Sequence, residues 1–333
     1  MGRIAVAGHS CVDIKPHLGA GVVTQPGRLV EVGPLAMLTG GSVANTGRVL
    51  AWLGADVVAY ITLGDDALGH VMRDLFSGVE GLELVADERP GVGTSYTVIV
   101  EPEGVDRTLW HHPGSNAWFD PDMVDLSGVD MLHFGYPPLM PGFWQDGGEK
   151  LTTLMQRAKA AGVVTSLDLA GVDPLTAVGQ ADWRAILARC MPYVDIVTPS
   201  YDDVASAFHV SPGFDAARWS GFAEQFLEWG AAVTVITAGQ HGLRLAAADA
   251  ERLTPLAQYG IDSGRWAGAR EVAPARPLAV QATTTGAGDA ASAGVLVALR
   301  SGSDPADLLA FTANVAAKVI ERGGPNHVSR RKE

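Results

Sequence analysis

Close to the end of this 333-residue chain, Thr284-Thr285-Gly286-Ala287-Gly288-Asp289 runs straight into the helix-forming stretch 290–299. A glycine-rich turn that enters a helix leaves backbone N–H groups unpaired at the positive end of the helix dipole, which makes an anion site. Asp289, in the first turn, stands where a carboxylate can take the proton of an attacking hydroxyl. The amides of Gly286, Ala287 and Gly288 can meanwhile hold the oxygens of a transferring phosphoryl group. Taken alone, the same pattern equally describes a turn, a capping acid and small residues chosen for tight packing.

Three more clusters share that chemistry. Thr39-Gly40-Gly41-Ser42-Val43-Ala44-Asn45-Thr46 opens a helix, its glycines permitting close backbone approach and Asn45 offering a donor and an acceptor to sugar hydroxyls. Gly8-His9-Ser10-Cys11-Val12-Asp13 ends the first strand with a carboxylate at its C-terminal edge. Leu63-Gly64-Asp65-Asp66-Ala67-Leu68-Gly69 follows another strand. Each by itself is also ordinary loop and cap chemistry. No Walker A sequence occurs, which excludes a P-loop kinase.

The elements that must position these residues alternate. Short β-rich runs at 3–7, 57–62, 131–134, 163–167, 196–198 and 233–237 are interleaved with helical patterns at 44–53, 68–76, 150–161, 183–191 and 222–229. The alternation predicts an α/β fold, a mostly parallel sheet covered by helices, with ligands beyond the carboxyl ends of the strands. Residues 16–38 lack a helical pattern. Runs at 94–100 and 108–111 form a strand pair joined through Pro102, Glu103, Gly104 and Asp106. Both regions fit a β-rich flap over the main sheet, or an ordinary pair of surface hairpins.

Composition narrows the function classes. Acids outnumber bases 37 to 24, a formal charge of −13, which disfavours a nucleic-acid binder. Hydrophobic residues make up 47% and charged residues 18%, ample for a large core. Cys11 and Cys190 provide neither a disulfide framework nor a Cys-x-x-Cys zinc site, so a reducing cytoplasm is expected. The apolar run 4–7 is shorter than the roughly 7–15 residues of a signal-peptide core. No run approaches the roughly 20 residues of a membrane span. The basic residues of the tail, Arg330, Arg331 and Lys332, form a run too short for more than a solvated end.

In this order, an early strand with Gly8 and Asp13, then GGxxxN, GxDxxG and a late GAGD helix, the chain resembles the PfkB, or ribokinase-like, carbohydrate kinases over nearly its whole length. The resemblance implies a single ribokinase-like domain over 1–333, doubly wound, with a small β lid built from insertions at about 14–38 and 92–116. It implies ATP-dependent phosphorylation of a hydroxyl on a small sugar or sugar-like acceptor. Asp289 maps to the base, Gly286, Ala287 and Gly288 to the anion hole, and Asp13, Gly40, Gly41 and Asn45 to the acceptor site. The lid maps to a homodimer interface in many members. Strand 233–237 with its GxxG turn maps Thr237, Gly239 and Gly242 to the nucleotide side, and Asn314 to the adenine pocket, although Asn314 equally suits a solvent-facing position.

Two departures stand out. Where the family has Asn-x-x-Glu for Mg²⁺ and phosphate, the chain has Ser200-Tyr201-Asp202-Asp203, leaving Asp203 as the metal-side carboxylate, acting through water. Thr283 stands where K⁺-activated members carry Asp, so little K⁺ activation is expected. His111 and His112 point to opposite strand faces and make a poor metal pair, while one of them is a candidate substrate contact. Asp168 falls where the family often carries an acid, and Trp110 lies in the lid hairpin. Two alternatives remain: a nucleoside kinase of the same family, and a non-catalytic sugar- or nucleotide-binding protein on the same scaffold.

Overall fold

The computed structural model describes residues 2–19, 26–27, 29–102, 107–280 and 284–329. Thr283, the turn residues Glu103, Gly104 and Asp106, and the tail from Arg330 onward lie outside them.

The strands are β1 (Arg3–Gly8), β2 (Cys11–Pro16), β3 (Leu35–Gly40), β4 (Val57–Gly64), β5 (Leu82–Arg89), β6 (Tyr96–Val100), β7 (Thr108–His112), β8 (Val129–Gly135), β9 (Val164–Asp168), β10 (Ile196–Val197), β11 (Val233–Thr237), β12 (Leu243–Ala247) and β13 (Arg270–Ala273). The helices are α1 (Ser42–Trp52), α2 (Ala67–Ser77), α3 (Glu149–Ala160), α4 (Trp183–Cys190), α5 (Tyr201–Ala207), α6 (Ala216–Glu228), α7 (Ser263–Trp266), α8 (Ala287–Arg300) and α9 (Pro305–Glu321). None of them is long and apolar enough to cross a membrane.

Nine strands form one sheet in the order β13-β12-β11-β10-β9-β8-β1-β4-β5. Pairing is parallel from β5 through to β11, and only β12 and β13 run antiparallel. Helices cover both faces, so the central strands are buried on both sides and read as unbroken apolar runs. Every residue of β4 and of β9 is buried. Along β1 the two faces alternate: Ile4 and Val6 pack into the core shared with α1, α2, α8 and α9, while Ala5 and Ala7 pack into the core under α3 to α6.

The edge strands β5 and β13, and β12 next to β13, are additional to the six expected strands. β5 has no fully buried position and carries Glu83, Asp87, Glu88 and Arg89, which hides it from an apolar-run criterion. α6 begins at Ala216, six residues before the expected start, because Asp215 caps it by accepting from the Arg218 N–H.

The remaining four strands form a second sheet, in the order β3-β2-β6-β7. Here one expectation is corrected: Asp13 does not end the first strand of the main sheet. That strand stops at Gly8, whose φ is +124° and where an added Cβ would lie 2.3 Å from the Gly135 carbonyl oxygen. The chain turns at His9-Ser10, and Asp13 lies inside β2 of the small sheet. Strand register puts Leu38, Asp13, Thr97 and His111 in one row across that sheet, with side chains on one face. The neighbouring row, Met37, Ile14, Val98 and Trp110, belongs to the other face.

Candidate active site

Asp289 lies in the first turn of α8, directly behind the glycine-rich turn. Gly286 caps the helix with φ +75°, and an added Cβ there would sit 2.3 Å from Cγ of Pro325, so glycine is required on two counts. At Gly288 an added Cβ would meet nothing within 4 Å, so the first turn of α8 borders open space with its N–H groups unpaired by the helix itself. The Asp289 carboxylate is 1% exposed. It accepts from Asn45 Nδ2 at 3.0 Å and Thr46 Oγ1 at 3.2 Å, both near the start of α1, and also from Tyr136 and Ser42. Burial outweighs these four neutral donors and raises its pKa above the ordinary carboxylate value.

Two further acids face it from the carboxyl ends of neighbouring strands. Asp168 closes β9, and its Oδ1 accepts from the Leu169 N–H at 2.8 Å. Its Oδ2 lies 3.2 Å from Ser292 Oγ, which in turn is 2.9 Å from Thr198 Oγ1. Asp203 lies in the first turn of α5. Its Oδ2 accepts from Ser200 Oγ at 2.6 Å and Ser200 N at 3.1 Å, while Ser200 Oγ accepts from the Asp203 N–H at 3.0 Å. This reciprocal capping box gives the Ser-x-x-Asp sequence a local structural purpose beside any metal role. Burial first, and then the neighbouring acids, raise Asp168 well above its usual range and Asp203 to about 6. Among the described residues none of the three forms an ion pair with Lys, Arg or His. A convergent set of hard oxygen donors with uncompensated negative charge fits Mg²⁺.

On the small-sheet side, Asp13 is raised to about 6, chiefly by burial and in part by the charge of Asp289. Cys11 donates its thiol to Asp13 Oδ1 at 3.4 Å, and the charge of Arg107 works in the opposite direction from burial. Arg107 also donates to Thr285 Oγ1, linking the segment before β7 to the glycine-rich turn. Gly40 and Gly41 make room for the protein's own groups: an added Cβ would lie 2.3 Å from Asp13 Oδ1 at Gly40 and 2.6 Å from His9 Nδ1 at Gly41.

The nucleotide-side candidates lie further along the sheet. Thr237 ends β11, and its N–H bonds the Pro199 carbonyl at 3.1 Å, one residue before the α5 cap. Gly239 has open space around an added Cβ. Gly242, with φ +95°, lets the backbone pass Ala273, whose oxygen would be 2.0 Å from a Cβ there. Asn314 is exposed on α9 and accepts from Arg276.

The structure thus gathers Asn45, through a hydrogen bond, and Asp13, Asp168 and Asp203, through their charges, around Asp289, and leaves Asn314 outside that cluster. His111 lies on the site-facing row and His112 is exposed, so the adjacent pair does indeed diverge. Tyr136, Ser42, Thr46, Ser292, His9 and Arg107 are additional residues of the site. Tyr136 directly follows β8 and holds φ +63°, a left-handed conformation uncommon for a bulky residue. Its position just past a strand's carboxyl end is the signal that marks it. Ser292 is one helical turn past Asp289. The others gain their place only from the turn at Gly8 and the packing of α1 on α8.

A family model described as pfkB family carbohydrate kinase matches residues 1–332. Similar solved structures include ribokinase from Thermotoga maritima, at 20% identity and TM-score 0.72, with 100% of this chain and 97% of that one covered. Arabidopsis thaliana ribokinase complexed with ribose and ATP matches at 19% identity and TM-score 0.75, covering 99% and 96%. A putative ribokinase II from E. coli in complex with ATP and Mg²⁺ matches at 19% identity and TM-score 0.73, covering 99% and 96%. At these identities the structural likeness is one of fold.

Proposed function

The chain belongs to the pfkB family of carbohydrate kinases, and from that premise we propose that it transfers the γ-phosphoryl group of ATP to a hydroxyl of a small sugar or sugar-like acceptor. The observation that carries the proposal is the buried Asp289 carboxylate, held by neutral donors, at the start of a helix whose first turn borders open space.

In this proposal an acceptor hydroxyl replaces one of the donors now on Asp289, Tyr136 or Asn45. Asp289 accepts the hydroxyl proton as the oxygen attacks phosphorus. Its raised pKa brings it closer to the value a base needs at neutral pH. The N–H groups of Gly286, Ala287 and Gly288 receive the phosphoryl oxygens, and the positive end of α8 favours the negative charge there. Mg²⁺, when bound, neutralises phosphate oxygens. Asp203, with Asp168 behind it, is the side chain set to hold it through water. Thr237, Gly239 and Gly242 border the nucleotide, with Asn314 at the outer edge of the adenine pocket. Asp13 and Asn45 orient the acceptor.

The domain proposal is a single catalytic domain over the chain, with the second sheet acting as a lid. Its site-facing row contributes Asp13, and Arg107 reaches from it to Thr285. The outer row exposes Met37 and Trp110, with Leu35 exposed on the same face, an apolar face suited to a second copy of the chain. Sedimentation of Trp110→Glu beside the parent tests that pairing, which predicts a dimer shifted toward monomer.

ATP turnover against a panel of free sugars, sugar derivatives and nucleosides tests the reaction. Turnover with a sugar supports the proposal, and turnover with nucleosides alone redirects it to the nucleoside branch. Saturable binding of sugar or ATP without turnover across the panel would replace the kinase by a binding protein.

A further inference from the structure

We propose that His9, Cys11 and His111 form a binding site for a thiophilic divalent metal ion of the zinc class, on the small-sheet side of the candidate active site.

The three residues come from distant parts of the chain: His9 from the turn after β1, Cys11 from the start of β2, and His111 from β7. The register of the small sheet brings them together, since Cys11 shares a face with Asp13, and Asp13 stands in one row with Thr97 and His111. One donor atom from each residue lies within 4.8 Å of the others. Donors around a single tetrahedral Zn²⁺, at roughly 2.0–2.3 Å from the ion, stand roughly 3.3–3.8 Å apart. Small side-chain rotations therefore close the set.

A second observation points to a ligand there. His9 is 2% exposed, yet neither of its ring nitrogens has a hydrogen-bond partner, and His111 Nε2 has none either. Three unpaired buried nitrogens are costly and require an occupant, either an ion or water. The His111 ring is fixed through its other nitrogen, Nδ1, by Thr97 Oγ1 at 3.0 Å, the outer-shell support that metal-binding histidines have. Two imidazoles and a thiolate select Zn²⁺ or Co²⁺ over Mg²⁺, so this site is chemically distinct from the cluster of aspartates. On binding, the Cys11 thiol gives its proton to solvent and its sulfur electron pair to the metal, with no change of oxidation state. Three protein ligands leave a fourth position open.

Occupancy reaches the acceptor side through one bond. Cys11 now donates its thiol to Asp13 Oδ1, and a metal-bound thiolate no longer can. Acceptor affinity then changes with the metal. That consequence rests on Asp13 as an acceptor contact, whereas metal binding itself does not.

The test is Co²⁺ titration of tag-free, metal-stripped full-length protein. The expected result is one equivalent bound, with a thiolate-to-cobalt charge-transfer band in the near ultraviolet and intense tetrahedral d–d bands, all displaced by Zn²⁺. Cys11→Ser, checked for folding by circular dichroism, should lose the charge-transfer band. His111→Ala should weaken binding by more than the roughly 10–100-fold that loss of an outer-shell partner costs. His112→Ala and Cys190→Ser should bind like the parent, and so should the catalytic variant Asp289→Asn, which separates this site from the kinase proposal. No stoichiometric band in the parent, showing water to be the occupant, or a band that survives Cys11→Ser or vanishes with Cys190→Ser, would overturn the assignment.

Discussion

Asp195 and Asp289 are both buried, at opposite edges of the same sheet, and their surroundings differ in one respect. Asp195, fully buried just before β10, has Lys159 Nζ at 2.7 Å and Arg252 Nη1 at 2.8 Å on one oxygen, and the Thr165 N–H at 3.0 Å on the other. Asp289, at the carboxyl edge, is held by the uncharged side chains of Asn45, Thr46, Tyr136 and Ser42, and the charges of Asp168 and Asp203 couple to it. Equal burial with unequal neutralisation separates an acid that serves the fold from the one proposed as the base. An uncompensated buried charge costs several kcal/mol. It persists where a ligand, here the divalent cation proposed to accompany the nucleotide or the proton of an acceptor hydroxyl, supplies the missing partner.

The sharpest way to break this contrast is Asp289→Asn. It keeps the shape and the ability to accept from Asn45 but removes the base, so phosphorylation should fall by about 10²–10⁴-fold. Stability toward denaturant should be unchanged or higher, because an unpaired buried charge is gone. Turnover rates and urea midpoints on the same preparation check both halves. Activity within a few-fold of the parent removes Asp289 from the base role.

Asp195→Asn should do the reverse. It strands two cations beside the sheet, and breaking a buried pair in this way costs about 3–5 kcal/mol. Lys159 and Arg252 are 22% and 23% exposed and can turn partly to water, which places the expected loss at the low end, about 3 kcal/mol. The urea midpoint should drop accordingly, with turnover per folded molecule unchanged at low denaturant.

The same contrast explains what the sequence made legible. The expected strands at 3–7, 57–62, 131–134, 163–167, 196–198 and 233–237 are β1, β4, β8, β9, β10 and β11, because strands buried on both faces announce themselves as apolar runs. Edge strands such as β5 do not. Asp289 and Asn45 were visible because glycine-rich helix starts have a local signature. Asp13 is legible as an acid but not as part of the small sheet, since the break after Gly8 depends on contact with Gly135, 127 residues away. Tyr136 is marked only by its place just past the carboxyl end of β8, and His9 joins the site through the turn after Gly8, which the packing of distant elements sets. The capping box gives Ser200 and Asp203 a structural reason to stand three residues apart, independent of any metal.

Asp203 sharpens the comparison through pH. Its folded pKa is raised from 3.8 to about 6, mainly by burial. Between those values the folded protein holds a proton that the unfolded chain has released. The contribution to stability is therefore fully present below pH 3.8 and is lost as pH rises through about 6. The shift corresponds to an upper bound of about 3 kcal/mol, and water reaching the site should reduce it to about 2 kcal/mol. Asp203→Asn, which can still cap α5, should match the parent near pH 4 and exceed it above pH 6 by about that amount. Urea midpoints of the two proteins across this range should diverge. Parallel curves would place Asp203 among the compensated acids, with Asp195.

The smallest expected effect is at Asp13, which lies between the two extremes: largely buried and raised to about 6, chiefly by burial, yet within the field of Arg107. It also faces the site from a different sheet. Asp13→Ala should leave the KM for ATP nearly unchanged. Losing a hydrogen bond to a charged group costs about 1.5–3 kcal/mol. Because the carboxylate has an alternative partner in Cys11, the lower end applies, and kcat/KM for the acceptor should fall by about tenfold. Asn45→Ala should behave differently, because its amide bonds Asp289 directly: it should lower kcat as well as raise the acceptor KM. Steady-state kinetics with each substrate varied in turn separate the two. If Asp13→Ala mainly raised the KM for ATP, the inner face of the small sheet would belong to the nucleotide, and the acceptor would have to enter from the side of Tyr136 and Asp168.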